Sequence, residues 1–142
     1  MIPNNKLLLD VCNVAIEAGI EILTFYKNDI KVTHKEDLSP LTKADLASNK
    51  IILESLKKLN SNIPILSEES LVDWEIRKNW KKYWLVDPLD GTKEFIKKNG
   101  EFTVNIALIE DNNPILGVVY VPAKSLLYLA EKDKGSFKTN TK

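Results

Sequence analysis

From Phe102 to Glu110 the side chains alternate, with Phe102, Val104, Ile106 and Leu108 set against Thr103, Asn105 and Ala107. A period of two marks a strand with one buried face. This segment therefore commits the chain to a sheet that needs cover on one side. Asp111-Asn112-Asn113-Pro114 reads as a turn and Ile115 to Val121 as the next strand, so a hairpin is expected. Leu126 to Ala130 reads as another short strand, and Gly135-Ser136-Phe137 opens one more.

The cover comes from the N-terminal side. Leu8, Val11, Ala15, Ala18, Ile22 and Phe25 recur at spacings of three and four, which predicts an amphipathic helix over Leu8 to Tyr26. A second helix is expected from about Lys43 to Leu59, with Ala44, Ala47, Ile51, Ile52, Leu56 and Leu59 on its apolar face. Between them, Lys27 to Pro40 is polar, with Asn28-Asp29 and Ser39-Pro40 as breakers, and reads as a loop or a short strand pair. Ile63-Pro64-Ile65-Leu66 is a short apolar run ending at Ser67-Glu68-Glu69-Ser70, and Leu71 to Lys82 reads as a weak helix or loop. The expected class is α+β: two N-terminal helices packed on a mainly antiparallel sheet. At 142 residues the chain has the size of one domain. Gly135 to Lys138 is followed by four polar residues, as if the chain stopped at a domain boundary.

Charge narrows the partners. Lysine plus arginine equals aspartate plus glutamate at 20 each, which gives no electrostatic case for a nucleic-acid or membrane partner. Cys12 is the only cysteine, so an internal disulfide and a Cys-based zinc site are excluded; on its helical pattern it reads as a buried small hydrophobe. His34, the only histidine, lies in a polar loop beside Thr33 and Lys35 and reads as surface. Met1 to Leu9 lacks the apolar core of a signal peptide, and no segment approaches about 18 apolar residues. A cytoplasmic location is expected, with attachment to a membrane surface left open.

The chemistry concentrates in Trp84-Leu85-Val86-Asp87-Pro88-Leu89-Asp90-Gly91-Thr92-Lys93-Glu94-Phe95. A short buried strand, Tyr83 to Val86, runs into two aspartates separated by Pro88 and Leu89. With φ fixed at Pro88 and φ > 0 open to Gly91, a tight fold-back is expected there. Both carboxylates and the Leu89 carbonyl would then face one small space, and oxygen ligands at close quarters suit Mg²⁺. Gly91-Thr92 is expected to open a helical turn whose free N–H groups suit a phosphate. Asp-Pro and Asp-Gly are also ordinary turn dipeptides, so these residues alone leave a solvated turn open. Asp45, at the start of the second helix, reads equally as a cap. Glu68 would emerge beside Asp87 if the Ile65-Leu66 strand neighbours Tyr83–Val86.

Ser39-Pro40-Leu41-Thr42-Lys43-Ala44-Asp45, Leu66-Ser67-Glu68-Glu69 and Trp84 to Phe95, in this order, resemble the inositol monophosphatase superfamily. Within it, Gly91-Thr92-Lys93-Glu94-Phe95 followed by Asn99-Gly100-Glu101-Phe102-Thr103-Val104-Asn105-Ile106-Ala107 is similar to the 3'(2'),5'-bisphosphate nucleotidase branch. Inositol monophosphatases proper usually carry Thr-Asn-Phe where this chain has Lys93-Glu94-Phe95. The resemblance implies the N-terminal half of the sugar-phosphatase α-β-α sandwich and Mg²⁺-dependent hydrolysis of a small phosphate monoester. The nucleoside bisphosphate 3'-phosphoadenosine 5'-phosphate is the expected substrate, and an inositol or sugar phosphate is the alternative. By the same resemblance Glu68, Asp87 and the Leu89 carbonyl hold a first Mg²⁺, and Asp87 and Asp90 hold a second. Asp45 and Thr92 position the attacking water, and Glu68, Leu89, Asp90, Gly91 and Thr92 surround the substrate phosphate. Two cations about 3.5–4 Å apart would suit that hydrolysis.

Family members are longer. A second α/β domain follows, with a further aspartate for the second metal and most contacts to the nucleoside or inositol ring. The resemblance therefore covers the first metal site and part of the second. Three expectations stay open: half of a split enzyme completed by a second chain, a truncated chain that binds Mg²⁺ or phosphate without turnover, or a homo-oligomer that rebuilds the site. Each leaves an exposed apolar face where the missing domain would dock.

Overall fold

The computed structural model describes residues 4–28 and 38–142. His34 and most of the predicted Lys27–Pro40 loop lie outside those residues. The helices are α1 (Lys6–Lys27), α2 (Pro40–Leu59), α3 (Trp74–Arg77) and α4 (Thr92–Lys97). The strands are β1 (Ile65–Ser67), β2 (Lys82–Asp90), β3 (Thr103–Glu110), β4 (Asn113–Val121), β5 (Leu126–Glu131) and β6 (Gly135–Asn140). They form one sheet in the order β1-β2-β3-β4-β5-β6. Only the β1–β2 pair is parallel; every other pair is antiparallel. The architecture is the α+β arrangement expected, two long helices on one face of a mainly antiparallel sheet.

Asn5 caps α1, its side chain accepting from the N–H groups of Leu7 and Leu8. Of the predicted stripe, Leu8, Val11, Ala15, Ala18 and Ile22 are fully buried, and Phe25 is half-buried at the end of the helix. Cys12 is buried among these residues as expected, and burial pushes its thiol up to about 11. Gly19 lets α1 lie flat on β4, because a Cβ there would sit 2.5 Å from the Tyr120 ring. Helix α2 begins at Pro40, three residues before the predicted start. The Ser39 hydroxyl accepts the Thr42 N–H, and proline suits the first helical turn because its missing N–H would have no partner there. Ser39-Pro40 is a helix start, not a breaker.

Strand ends also differ from expectation. The hairpin turn is tighter than predicted, with Asp111 and Asn112 both at positive φ and β4 already under way at Asn113. β6 runs on through polar residues to Asn140, because an edge strand with one neighbour needs no apolar face of its own. Within the predicted Leu71–Lys82 segment the helix is the single turn α3, and Lys82 already opens β2.

The core lies between the helices and the inner sheet face. Trp84, Val86, Val104, Ile106, Leu108, Val118 and Leu129 project from the strands into it, at most 3% exposed. Tyr26, Phe95 and Phe102 stack with ring centroids 4.8–5.3 Å apart and hold α4 against the end of α1.

Candidate functional site

The predicted fold-back at Asp87–Asp90 is not what forms. Strand β2 continues through Asp90, and the ladder slips: Asp87 faces Asn105, whereas Asp90 faces Thr103. Three steps along β2 thus match two along β3, a one-residue bulge. Pro88 fits there because a bulge frees it from donating to the ladder. The bulge also sets direction. Residues three apart on a regular strand point to opposite faces, but Asn105 and Thr103 share a face, so their partners Asp87 and Asp90 do too. Gly91 then takes the left-handed conformation (φ 86°) and turns the chain into α4. Its missing Cβ would lie 3.2 Å from the Phe102 Cα, so both space and conformation call for glycine.

Helix α2 is fastened to this corner by polar contacts. Ser48, fully buried, donates to the Pro88 carbonyl at 2.7 Å. Ser67, at the end of β1, donates to Asn49 Oδ1 at 2.6 Å, and Asn49 Nδ2 donates to Ser70 at 3.0 Å. Because Asp45 stands one turn before Ser48 and Asn49, these bonds bring its carboxyl to the strand ends. β1 runs beside β2 with Ser67 opposite Val86, and the Glu68 N–H donates to the Val86 carbonyl at 3.1 Å. Glu68 therefore emerges next to Asp87.

The electrostatics record this convergence. Burial, then the charge of Glu69, then that of Asp87 raise the Asp45 carboxyl to about 7. Asp87 is raised to about 7 by burial, by its hydrogen bond and charge contact with Glu68 and by the charge of Asp90, with the Leu89 N–H opposing. One oxygen of each, Asp45 Oδ1 and Asp87 Oδ1, is buried without a hydrogen-bond partner among the described residues. Asn105 donates to Asp90 at 3.2 Å and is itself held by Thr103 at 2.8 Å. The Leu89 side chain is buried in the core. Thr92 opens α4 and is exposed; it makes no hydrogen bond to Asp45.

The structure thus brings Asp45, Glu68, Asp87 and Asp90 to one corner, with Gly91 and Thr92 following directly in the chain. Among the described residues no three acidic side chains close tightly enough to enclose an ion. Carboxylate oxygens are hard ligands, the kind a hard cation takes. Sequence reasoning assigned no role to Ser48, Asn49 or Glu69. Ser48 and Asn49 do leave a trace, as polar residues next to Ala44, Ile51 and Ile52 on the buried side of α2.

Two long helices cover one face of a mixed, mainly antiparallel sheet, and the carboxylates gather where its parallel strands end. The chain belongs to the inositol monophosphatase family, whose model matches residues 5–142. The 3'(2'),5'-bisphosphate nucleotidase CysQ of Salmonella typhimurium is 52% identical over 130 residues, 90% of this chain and 53% of that protein. The CysQ of Haemophilus influenzae is 43% identical over 136 residues, 95% of this chain and 51% of its own length. The crystal structure of CysQ from Bacteroides thetaiotaomicron has a TM-score of 0.86 at 41% identity, covering 99% of this chain and 51% of that one. The chain spans about half the length of the curated relatives it matches. Among the described residues no helix is long and apolar enough to cross a membrane.

Proposed function

We propose that the corner is the acidic half of a Mg²⁺-dependent phosphomonoesterase site acting on 3'(2'),5'-bisphosphate nucleotides, with 3'-phosphoadenosine 5'-phosphate as substrate. The observation that carries this reading is the pair of buried, partnerless oxygens on Asp45 and Asp87, both carboxyls raised to about 7. Such a cluster is short of positive charge. Glu68, Asp87, Asp90 and the Leu89 carbonyl are the groups that would hold Mg²⁺, two or more ions in a complete site. A bound cation would supply charge against the phosphate oxygens.

The chain's own groups divide the remaining work. Asp45 lies apart from the strand-end acids, on α2, and with a pKa of about 7 it suits the acceptance of a proton from an attacking water near neutrality. The Thr92 hydroxyl, exposed and without a hydrogen bond among the described residues, is the group to orient that water. The N–H groups of Gly91 and Thr92 have no helical partner and suit a phosphate oxygen. The nucleotidase branch is supported by Lys93-Glu94-Phe95 and by the identity to the CysQ proteins.

A second reading is favoured by the half-length match: a part that binds Mg²⁺ or phosphate and turns over only when another chain or copy completes it. One assay addresses both. Phosphate release from 3'-phosphoadenosine 5'-phosphate and from inositol 1-phosphate is measured with Mg²⁺, with Asp87→Asn as control and Mg²⁺ affinity followed by calorimetry. Turnover of the bisphosphate that disappears in the variant supports the nucleotidase reading. Preference for inositol 1-phosphate moves the chain to the other branch. Mg²⁺ binding without turnover selects the incomplete half, and Mg²⁺ affinity unchanged by Asp87→Asn sinks the metal assignment.

A further inference from the structure

Replacing a buried polar pair by apolar groups of the same shape can be neutral for stability, so a buried polar tie points to a use beyond stability. Asn49 lies on the buried side of α2, 7% exposed, and Ser67, 1% exposed, meets it from the end of β1. Ser67 fixes the direction of the contact. Its hydroxyl oxygen accepts the Glu69 N–H at 3.3 Å, and its single proton goes to Asn49 Oδ1 at 2.6 Å. The Asn49 amino group is thereby turned the other way, where it donates to the Ser70 hydroxyl at 3.0 Å.

These two partners are the ends of one turn. The Ser70 N–H donates to the Ser67 carbonyl at 3.1 Å, and the two serines face each other as an isolated bridge, with Glu68 and Glu69 exposed at the tip. The Asn49 carboxamide therefore spans the base of the turn that carries both acids. Beyond Ser70 the next residue gives the turn no apolar anchor, since Leu71 is 84% exposed. On its own helix, Asn49 stands four residues after Asp45, about 6 Å along α2. One helical turn is thus the spacer between the Asp45 carboxyl and the turn presenting Glu68 and Glu69, and Glu69 lies within hydrogen-bonding reach of Asp45.

We propose that Asn49 is a positioning residue of the acidic corner: by tying Ser67 to Ser70 it holds Glu68 and Glu69 at a set distance from Asp45. A ligand carboxylate braced from behind has less freedom to lose when a cation binds. Ser48 does a different job, because its bond goes to Pro88 on β2 and leaves this turn untouched. The inference rests on the reading of Glu68 as a Mg²⁺ ligand, which the Asp87→Asn control tests separately.

The test uses Asn49→Leu, which keeps the shape and removes both bonds, and Ser70→Ala, which removes one end of the tie. Ile52→Val, fully buried on the same helix, controls for lost stability alone. Amide exchange with water, followed by NMR, should be about tenfold faster at the Glu69 and Ser70 N–H groups in Asn49→Leu than in the parent. Mg²⁺ affinity by calorimetry should fall about tenfold in Asn49→Leu, by less in Ser70→Ala and not at all in Ile52→Val. The double variant should bind no more weakly than Asn49→Leu, because both changes break one tie. Unchanged exchange at Glu69 and Ser70 overturns the inference, as does a Mg²⁺ affinity that stays at the parent's value or falls equally in Ile52→Val. If Asn49→Leu fails to fold, Ser70→Ala decides on the same measurements. A parent chain that binds no Mg²⁺ sinks the metal reading instead, and the exchange comparison alone then decides whether Asn49 holds the turn.

Discussion

On the side of the sheet facing α1 and α2, Trp84, Ile106, Val118 and Leu129 are at most 3% exposed. One residue along the same strands, Leu85, Val119 and Tyr128 are 38–43% exposed. The strands are shared, so the contrast owes nothing to backbone conformation. It comes from what covers each face: two helices with continuous apolar stripes on one side, and among the described residues only the rim that carries Leu71 and Arg77 on the other. Apolar residues on the open face therefore add less to the stability of this unit than those on the covered face.

Several substitutions can break or sharpen that contrast. The largest effect is expected at Trp84→Ala, about 3–5 kcal/mol of lost stability in urea or thermal denaturation, because a fully buried side chain leaves a cavity. Its neighbour Leu85→Ala should change the same measurement by no more than about 0.5 kcal/mol. A similar cost at both positions would mean that the open face is covered in the isolated chain. Next in size is Ser48→Ala, about 1–3 kcal/mol, since the buried Pro88 carbonyl would lose its donor.

A different contrast concerns pH. Asp45 and Asp87 rise from 3.8 to about 7 on folding, so between those values the folded, metal-free chain holds protons that the unfolded chain has released. Stability from these groups is therefore complete below about 4 and lost as the pH rises toward 7. Metal-free Asp87→Asn should melt higher than the parent chain at pH 8, with the difference vanishing near pH 4. Mg²⁺ should raise the melting temperature of the parent at pH 8 and leave the variant unmoved. A gap that is constant with pH would show that Asp87 titrates normally.

Periodicity made the frame readable. Both helices and the β3–β4 hairpin follow from spacings of three to four and of two, because one-sided burial imposes those periods. What stayed hidden depended on contacts distant in sequence. Pro88 reads locally as the end of a strand, yet β2 continues past it because β3 accepts a bulge and Ser48 takes its carbonyl. Glu69 carries no local sign of its role, because its proximity to Asp45 arises only when β1 docks beside α2. That Glu68, Asp87 and Asp90 lie together was expected from their motifs, whereas the bonds around them could not be read from the sequence. The apolar outward residues of β4 and β5 could be read only as strand, since the sequence does not say how many faces will be covered.

The bulge at Asp87–Asp90 limits how this chain can change length. An extra residue in the Asp111–Asn112 turn would lengthen a hairpin loop and leave the strands paired as before. An extra residue between Asp87 and Asp90 has no such outlet. If the bulge persists, Asp90 points to the helix-covered side of the sheet. If the strand becomes regular, Asp90 slides to about 13 Å from Asp87, four strand steps away. The hairpin end can tolerate insertions, and the acidic corner is fixed by count.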